Sequence, residues 1–224
     1  MKYVKMLGLA AVAAAALMAI VGSSTASATV LCAAEPTNGN PATKGTVCPT
    51  NFAYIAGTEI HAVLDPGTGP AKLTTAFKNI ECEESTVSGS TENEGSAAET
   101  VKGKVATLTF GKCNCEVKVL EEGGKQKAGT LEVHWIPDTF NGTLTSNGAE
   151  VTANCSTIFG TVHCIYVTEN TDLGTLTGGN PATMDIESAN IPRLSTSGLC
   201  AETAKWDAKY EVTSPKPLYV ADHT

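Results

Sequence analysis

The sequence predicts an all-β, disulfide-stapled fold: an antiparallel β-sandwich of Greek-key, immunoglobulin-like or jelly-roll type, preceded by an N-terminal signal helix. Three observations predict it. Apolar and polar residues alternate with a period of two through most of the chain, which is the signature of half-buried strands. Clusters of Gly, Pro and Asn interrupt the alternation at short intervals. All eight cysteines follow the first hydrophobic run, and nothing beyond that run carries a 3.6-residue apolar stripe.

Met1-Lys2-Tyr3-Val4-Lys5 is a short basic head, and Met6 to Val21 is almost wholly Ala, Leu, Val, Met and Ile. Ala26 and Ala28 are the small residues a signal peptidase takes, so cleavage is expected after Ala28. The run is shorter than the about 20 apolar residues of a spanning helix, which argues against a retained anchor. Leu31, ahead of Cys32, argues against a lipid-accepting cysteine. Residues 1–28 are therefore expected to be a signal peptide and 29–224 a single all-β domain, with 29–50 an irregular segment held by a disulfide. The expected location is secreted, outside the cytoplasm, with no membrane span after signal removal.

The chain carries 23 acidic and 15 basic residues, a formal charge of −8, and two of the lysines, Lys2 and Lys5, would leave with the signal. Such a surface repels phosphates, which disfavours nucleic acid and anionic lipid as partners. A cell-envelope component, a polysaccharide or another protein fits better, and no motif indicates a cofactor.

Strands are expected at Thr58 to Leu64, Ala71 to Phe77, Val101 to Phe110, Cys115 to Leu120 and Thr130 to Ile136. Further on they are expected at Val151 to Cys155, Val162 to Val167, Thr183 to Ile186 and Lys205 to Thr213. The last is the clearest: Trp206, Ala208, Tyr210 and Val212 alternate with Asp207, Lys209 and Glu211. Asp65-Pro66-Gly67, Glu121 to Gly124, Asn141-Gly142, Asn147-Gly148 and Gly178 to Pro181 each read as a strand reversal. Glu92 to Ser96 reads as a solvated loop tip open to nicking. Trp135 and Trp206 alternate in step with apolar neighbours and so read as core rather than as a sugar-stacking platform.

Eight cysteines, an even number in a secreted chain, imply four bridges. Cys155 and Cys164 flank a hairpin and are expected to pair, as are Cys32 and Cys48 around a turn-rich segment. Cys113 and Cys115 sit two apart on one strand, too far apart to bond each other comfortably. Cys82 and Cys200 are then expected to pair with Cys113 and Cys115, in either order. A zinc site is disfavoured because no second Cys knuckle accompanies Cys113-Asn114-Cys115.

Ala56-Gly57-Thr58-Glu59-Ile60, Gly129 to His134, Asp172 to Gly178 and Val212 to Pro215, together with the Ala-rich leader, are similar to segments of small secreted β-rich proteins of high-GC soil actinobacteria. The resemblance implies compartment and class and implies no activity.

With Leu131, Val133 and Trp135 facing the core, Glu132 and His134 share the outer face of their strand, close enough to exchange a proton. Glu59 and His61 have the same arrangement. Were those two strands adjacent, two imidazoles and two carboxylates would converge. No Gly-x-Ser-x-Gly, His-Glu-x-x-His, phosphate-binding or EF-hand pattern occurs. The sequence therefore points first to a non-catalytic extracellular or surface-associated structural or binding domain. The alternative is a small secreted hydrolase using His134 or His61 as base, with Glu132 or Glu59 beside it.

Overall fold

The computed structural model describes residues 28–37, 47–158, 160–194 and 199–223. The expected signal segment and its helix, apart from Ala28, lie outside the described residues.

The first strands are β1 (Val30–Cys32), β2 (Glu59–Leu64), β3 (Ala71–Thr74), β4 (Asn79–Thr91) and β5 (Val101–Cys113). They are followed by β6 (Glu116–Val119), β7 (Glu121–Glu122), β8 (Lys125–Gln126), β9 (Ala128–Trp135) and β10 (Gly142–Thr157). The last five are β11 (Gly160–Val167), β12 (Thr171–Thr177), β13 (Thr183–Pro192), β14 (Thr203–Ser214) and β15 (Tyr219–Ala221). Among the described residues no helix is long and apolar enough to cross a membrane.

The main sheet closes on itself. From β2 the antiparallel ladders run to β4, β5, β9 and β10, and onward through β12, β13 and β14. β14 then pairs with β2. Eight strand positions thus form a ring in which spatial neighbours follow sequence order, so the fold is a closed antiparallel barrel and not the expected sandwich of two sheets. The alternation is the same in either case, because it records only that one face of each strand is buried. The β14–β2 and β9–β10 pairings make the difference, and these are set by distant parts of the chain. Closure also leaves the ring without an unpaired edge.

Two turn signals act differently from expectation. Asp65-Pro66-Gly67 does not reverse the chain: β2 and β3 both run antiparallel to β14, along its Tyr210 and Trp206 regions respectively, and share one position between β14 and β4. Residues 65–70 are a loop-out in an interrupted strand, braced by Gly67 N donating to the Asp65 side chain at 2.8 Å. Asn147-Gly148 lies inside β10, where Asn147 pairs with Thr130 and Ala149 with Ala128 in unbroken register, so Gly148 (φ +77°) stands opposite Gly129 (φ +72°) in mid-strand. The strand leaves the ring here. Its second half pairs with β11 on one side and β6 on the other. Asn141-Gly142 lies where the β9–β10 loop ends and β10 begins.

The ends of the barrel are covered. Val117, Val151 and Tyr166 from the β6–β10–β11 extension line the same interior space as the barrel residues Leu73, Leu144 and Tyr210. The β1–β15 pair contributes Leu31 and Val220, and Leu218 just ahead of β15 joins them, in the core at the other end. There Glu92 to Ser96, expected as a free tip, is tied down: Asn93 bonds Thr100 O at 3.0 Å and Lys102 N at 2.8 Å. Gly95 (φ +77°) packs so closely that a Cβ would sit 1.8 Å from the carbonyl oxygen of Thr29. Gly95→Ala combines left-handed strain with a backbone clash and is expected to cost about 2 kcal/mol, read as a lowered midpoint in urea. An unchanged midpoint would show that the loop does not clamp Thr29.

Four disulfides join all eight cysteines. Cys32–Cys48 and Cys82–Cys113 are within the expected set. Two expectations are corrected: Cys155 bonds Cys115, not Cys164, and Cys200 bonds Cys164, not Cys113 or Cys115. The reason is register. In the β10–β11 hairpin Cys155 faces Val162 and Cys164 faces Ala153, so the two cysteines are diagonal. The β6–β10 ladder pairs Glu116 with Asn154 and, extended by one residue, brings Cys115 opposite Cys155. Cys82 and Cys113 likewise stand directly opposite each other.

Candidate functional site

Glu132 and His134 do share the outer face of β9, with Nε2 of His134 4.0 Å from the carboxylate. Thr100 donates to Glu132 at 2.6 Å and Lys102 Nζ lies 3.5 Å away. The Thr100 hydroxyl, with Lys102 and His134 in support, holds this carboxyl below its ordinary value, although partial burial works the other way. A carboxylate so stabilised is a weak general base.

Glu59 and His61 also share a face, 3.7 Å apart, and the other ring nitrogen of His61 lies 2.9 Å from Ser88 Oγ on β4. A hydroxyl, an imidazole and a carboxylate thus stand in line. Chemistry at such a line needs a preorganised oxyanion site and a concave wall. Ser88 sits mid-strand opposite His61 in the β2–β4 ladder, and the His61 and Glu59 side chains are 46 and 80 % exposed, so the line lies on an open sheet face.

The two His/Glu pairs do not meet. β2 and β9 are separated by β4 and β5 in the ring, three inter-strand steps, or about 14 Å. The conditional on which a shared site rested is therefore unmet. Among the described residues no group of three or more His, Cys, Asp or Glu is placed to hold a metal ion.

The apolar concave spaces lie inside the barrel. A cavity of about 120 Å³ lies in the barrel between the main core cluster, with Leu73, Ile80 and Leu144, and a smaller one built on Val105, Val119 and Ala128. A second apolar cavity of about 70 Å³ shares Val87, Val105, Leu131, Leu144 and Met184 with it, towards the β1–β15 end. Close-packed interiors rarely keep such space. At about 24 cal/mol per Å³ of void, leaving the larger cavity of about 120 Å³ empty forfeits about 3 kcal/mol.

Four hydroxyl side chains line the larger cavity: Ser146, Tyr166, Thr168 and Tyr210. Tyr210 bonds Ser85 Oγ at 2.9 Å, and Ser85 donates in turn to Thr109 O at 2.8 Å. Burial, only partly offset by the Ser85 bond, pushes the Tyr210 phenol up to about 12. Ser146 donates to Thr168 at 3.0 Å, and Thr168 accepts from Ala149 N at 2.9 Å. Tyr166 differs from these three. Only 1 % exposed, it has no hydrogen-bond partner for its hydroxyl among the described residues. No motif marks Tyr166 in the sequence; Val162 to Val167 reads simply as a strand, and only its packing on the barrel turns the residue into the cavity wall.

Comparison with protein-family models, curated proteins and solved structures finds no match, so no likeness assigns an activity.

Proposed function

We propose that this protein is a secreted, non-catalytic binding domain. One observation carries the reading: the barrel's interior space is apolar, and the two His/Glu pairs do not come together. The larger interior cavity is lined by no carboxylate, imidazole or amine, whereas the His/Glu pairs stand outside it, on strands that are not neighbours. Binding sites are typically concave, mostly apolar and furnished with few polar groups. Four bridges with no free cysteine among the described residues fit an oxidising compartment and support the extracellular placement.

The purified protein is expected to show no turnover of ester, peptide or glycoside reporters above the level of a His61→Ala/His134→Ala variant. Turnover that the wild type has and this variant lacks would sink the non-catalytic reading and revive the hydrolase.

A further inference from the structure

We infer that the barrel interior takes up a small hydrocarbon, a ring or short chain without a polar group, through the seam between β5 and β6 that the Gln126 side chain latches. The inference rests on the reading of the barrel as a binding domain and names its ligand class and the way in.

The lining sets the class. Apolar cavities of about 150 Å³ stay dry and accept benzene; the larger cavity here is about 120 Å³ and shares Val87, Val105, Leu131, Leu144 and Met184 with the adjoining space of about 70 Å³. An eight-stranded barrel is also of the width at which side chains either fill the interior or leave room for one small ligand. Charge is disfavoured, because no ionised side chain lines the larger cavity to receive it. A polar group gains little either. Ser146, Thr168 and Tyr210 are engaged with one another or with the strands around them, and the Tyr166 hydroxyl oxygen is shut away from the open space. Dispersion against the aliphatic and aromatic wall is what remains to hold an occupant.

The route follows from where the ladders stop. β5 runs on to Cys113, but its pairing with β9 ends at Lys104 and Thr130, beside Gly129, whose φ of +72° takes β9 off an ordinary strand's course. From Val105 onward β5 keeps its ladder to β4, and among the described residues no ladder joins it to β6, which pairs with β10. Each lip of the seam is pinned on its far side: Cys82–Cys113 ties β5 to β4, and Cys115–Cys155 ties the start of β6 to β10. Gln126, from the β7–β8 hairpin, reaches across, its side-chain oxygen accepting from Leu108 N at 2.8 Å. Beneath it lie Val105, Leu108 and Phe110 of β5, Val117 of β6 and Ala128 of β9, all of them cavity wall. One side-chain bond yields far more readily than a ladder of several, so the seam is the weak place in the wall.

The test titrates benzene and phenol into the purified, oxidised protein, followed by methyl NMR of Val105, Leu108 and Val117. Benzene is expected to give saturable shifts, and phenol to bind about tenfold more weakly, because its hydroxyl leaves water without finding a partner. In Gln126→Ala, benzene exchange read from line broadening is expected to quicken about fivefold. Its affinity should stay nearly unchanged, since the Leu108 bond is made in the empty and the filled barrel alike. Should that variant fail to fold, amide hydrogen exchange in the wild type decides the same point: Leu108 is expected to exchange faster than Thr109, which lies in the ladder to Thr86 of β4. Absence of saturable shifts, phenol binding as tightly as benzene, an exchange rate unmoved by Gln126→Ala, or a Leu108 amide as protected as that of Thr109 would overturn the proposal. Such a failure leaves the non-catalytic reading standing, because turnover and not cavity occupancy tests that reading.

Discussion

Replacing Cys115 and Cys155 together with alanine is expected to lower the unfolding free energy by about 4 kcal/mol, the largest effect of any single bridge. The Cys115–Cys155 bridge spans 40 residues, against 36 for Cys164–Cys200, 31 for Cys82–Cys113 and 16 for Cys32–Cys48. Constraint of the unfolded chain grows with the logarithm of that span, so the shortest bridge is worth about 3 kcal/mol and ties only the N-terminal segment. Cys115–Cys155 also fixes β6 against the extended half of β10, the wall that carries Val117 and Val151 into the cavity. The double variant is expected to contain no free thiol, because its other six cysteines keep their partners. Two free thiols, or a Cys155–Cys164 linked peptide in a non-reducing digest of the wild type, would contradict the register on which this pairing depends.

At high pH the protein is expected to lose about 3 kcal/mol of stability through Tyr210 alone. In the unfolded chain a tyrosine gives up its proton near pH ~10, whereas burial holds Tyr210 up to about 12 in the fold. Between those values the unfolded state binds fewer protons than the native one. Stability is thus fully present below the unfolded value and falls as pH rises through the folded one. Tyr54 and Tyr166 are also raised by burial, so a smaller alkaline slope should remain in a Tyr210→Phe variant. That variant gives up the bond to Ser85 and starts about 1 kcal/mol lower at neutral pH, but its curve should flatten relative to wild type between pH ~10 and ~12. Urea midpoints across that range, with tyrosinate absorbance as a second signal, check the sign. Parallel curves would show that Tyr210 is not the buried phenol responsible.

β14 was legible in detail: Ala208, Tyr210 and Val212 are buried as the alternation requires, and Trp206 lines the cavity, edge to face with Phe110 at 5.7 Å. β4 was not legible, because its core-facing positions include Cys82 and Ser85 amid Glu, Ser and Thr, a pattern that local hydrophobicity underrates. β10 was foreseen only in its outer half, since Asn147-Gly148 reads as a turn when it stands alone and is carried through as continuous strand when Thr130 and Ala128 of β9 lie alongside. The His/Glu pairs were placed correctly on their own strands, yet their distance from each other depends on β4 and β5 lying between.

The sequence by itself determined that the chain is built of strands, which face is buried in those with a clear alternation such as β14, and that sulfur crosslinks hold the product. These are local properties, written in a two-residue period and in residue chemistry. The tertiary structure alone decided that the sheet closes into a ring, that Cys155 reaches Cys115, and that Tyr166 is part of the cavity wall, its buried hydroxyl unpartnered among the described residues. Each of these depends on the register between segments far apart in the chain, and a strand carries the same alternation whichever neighbour it finds.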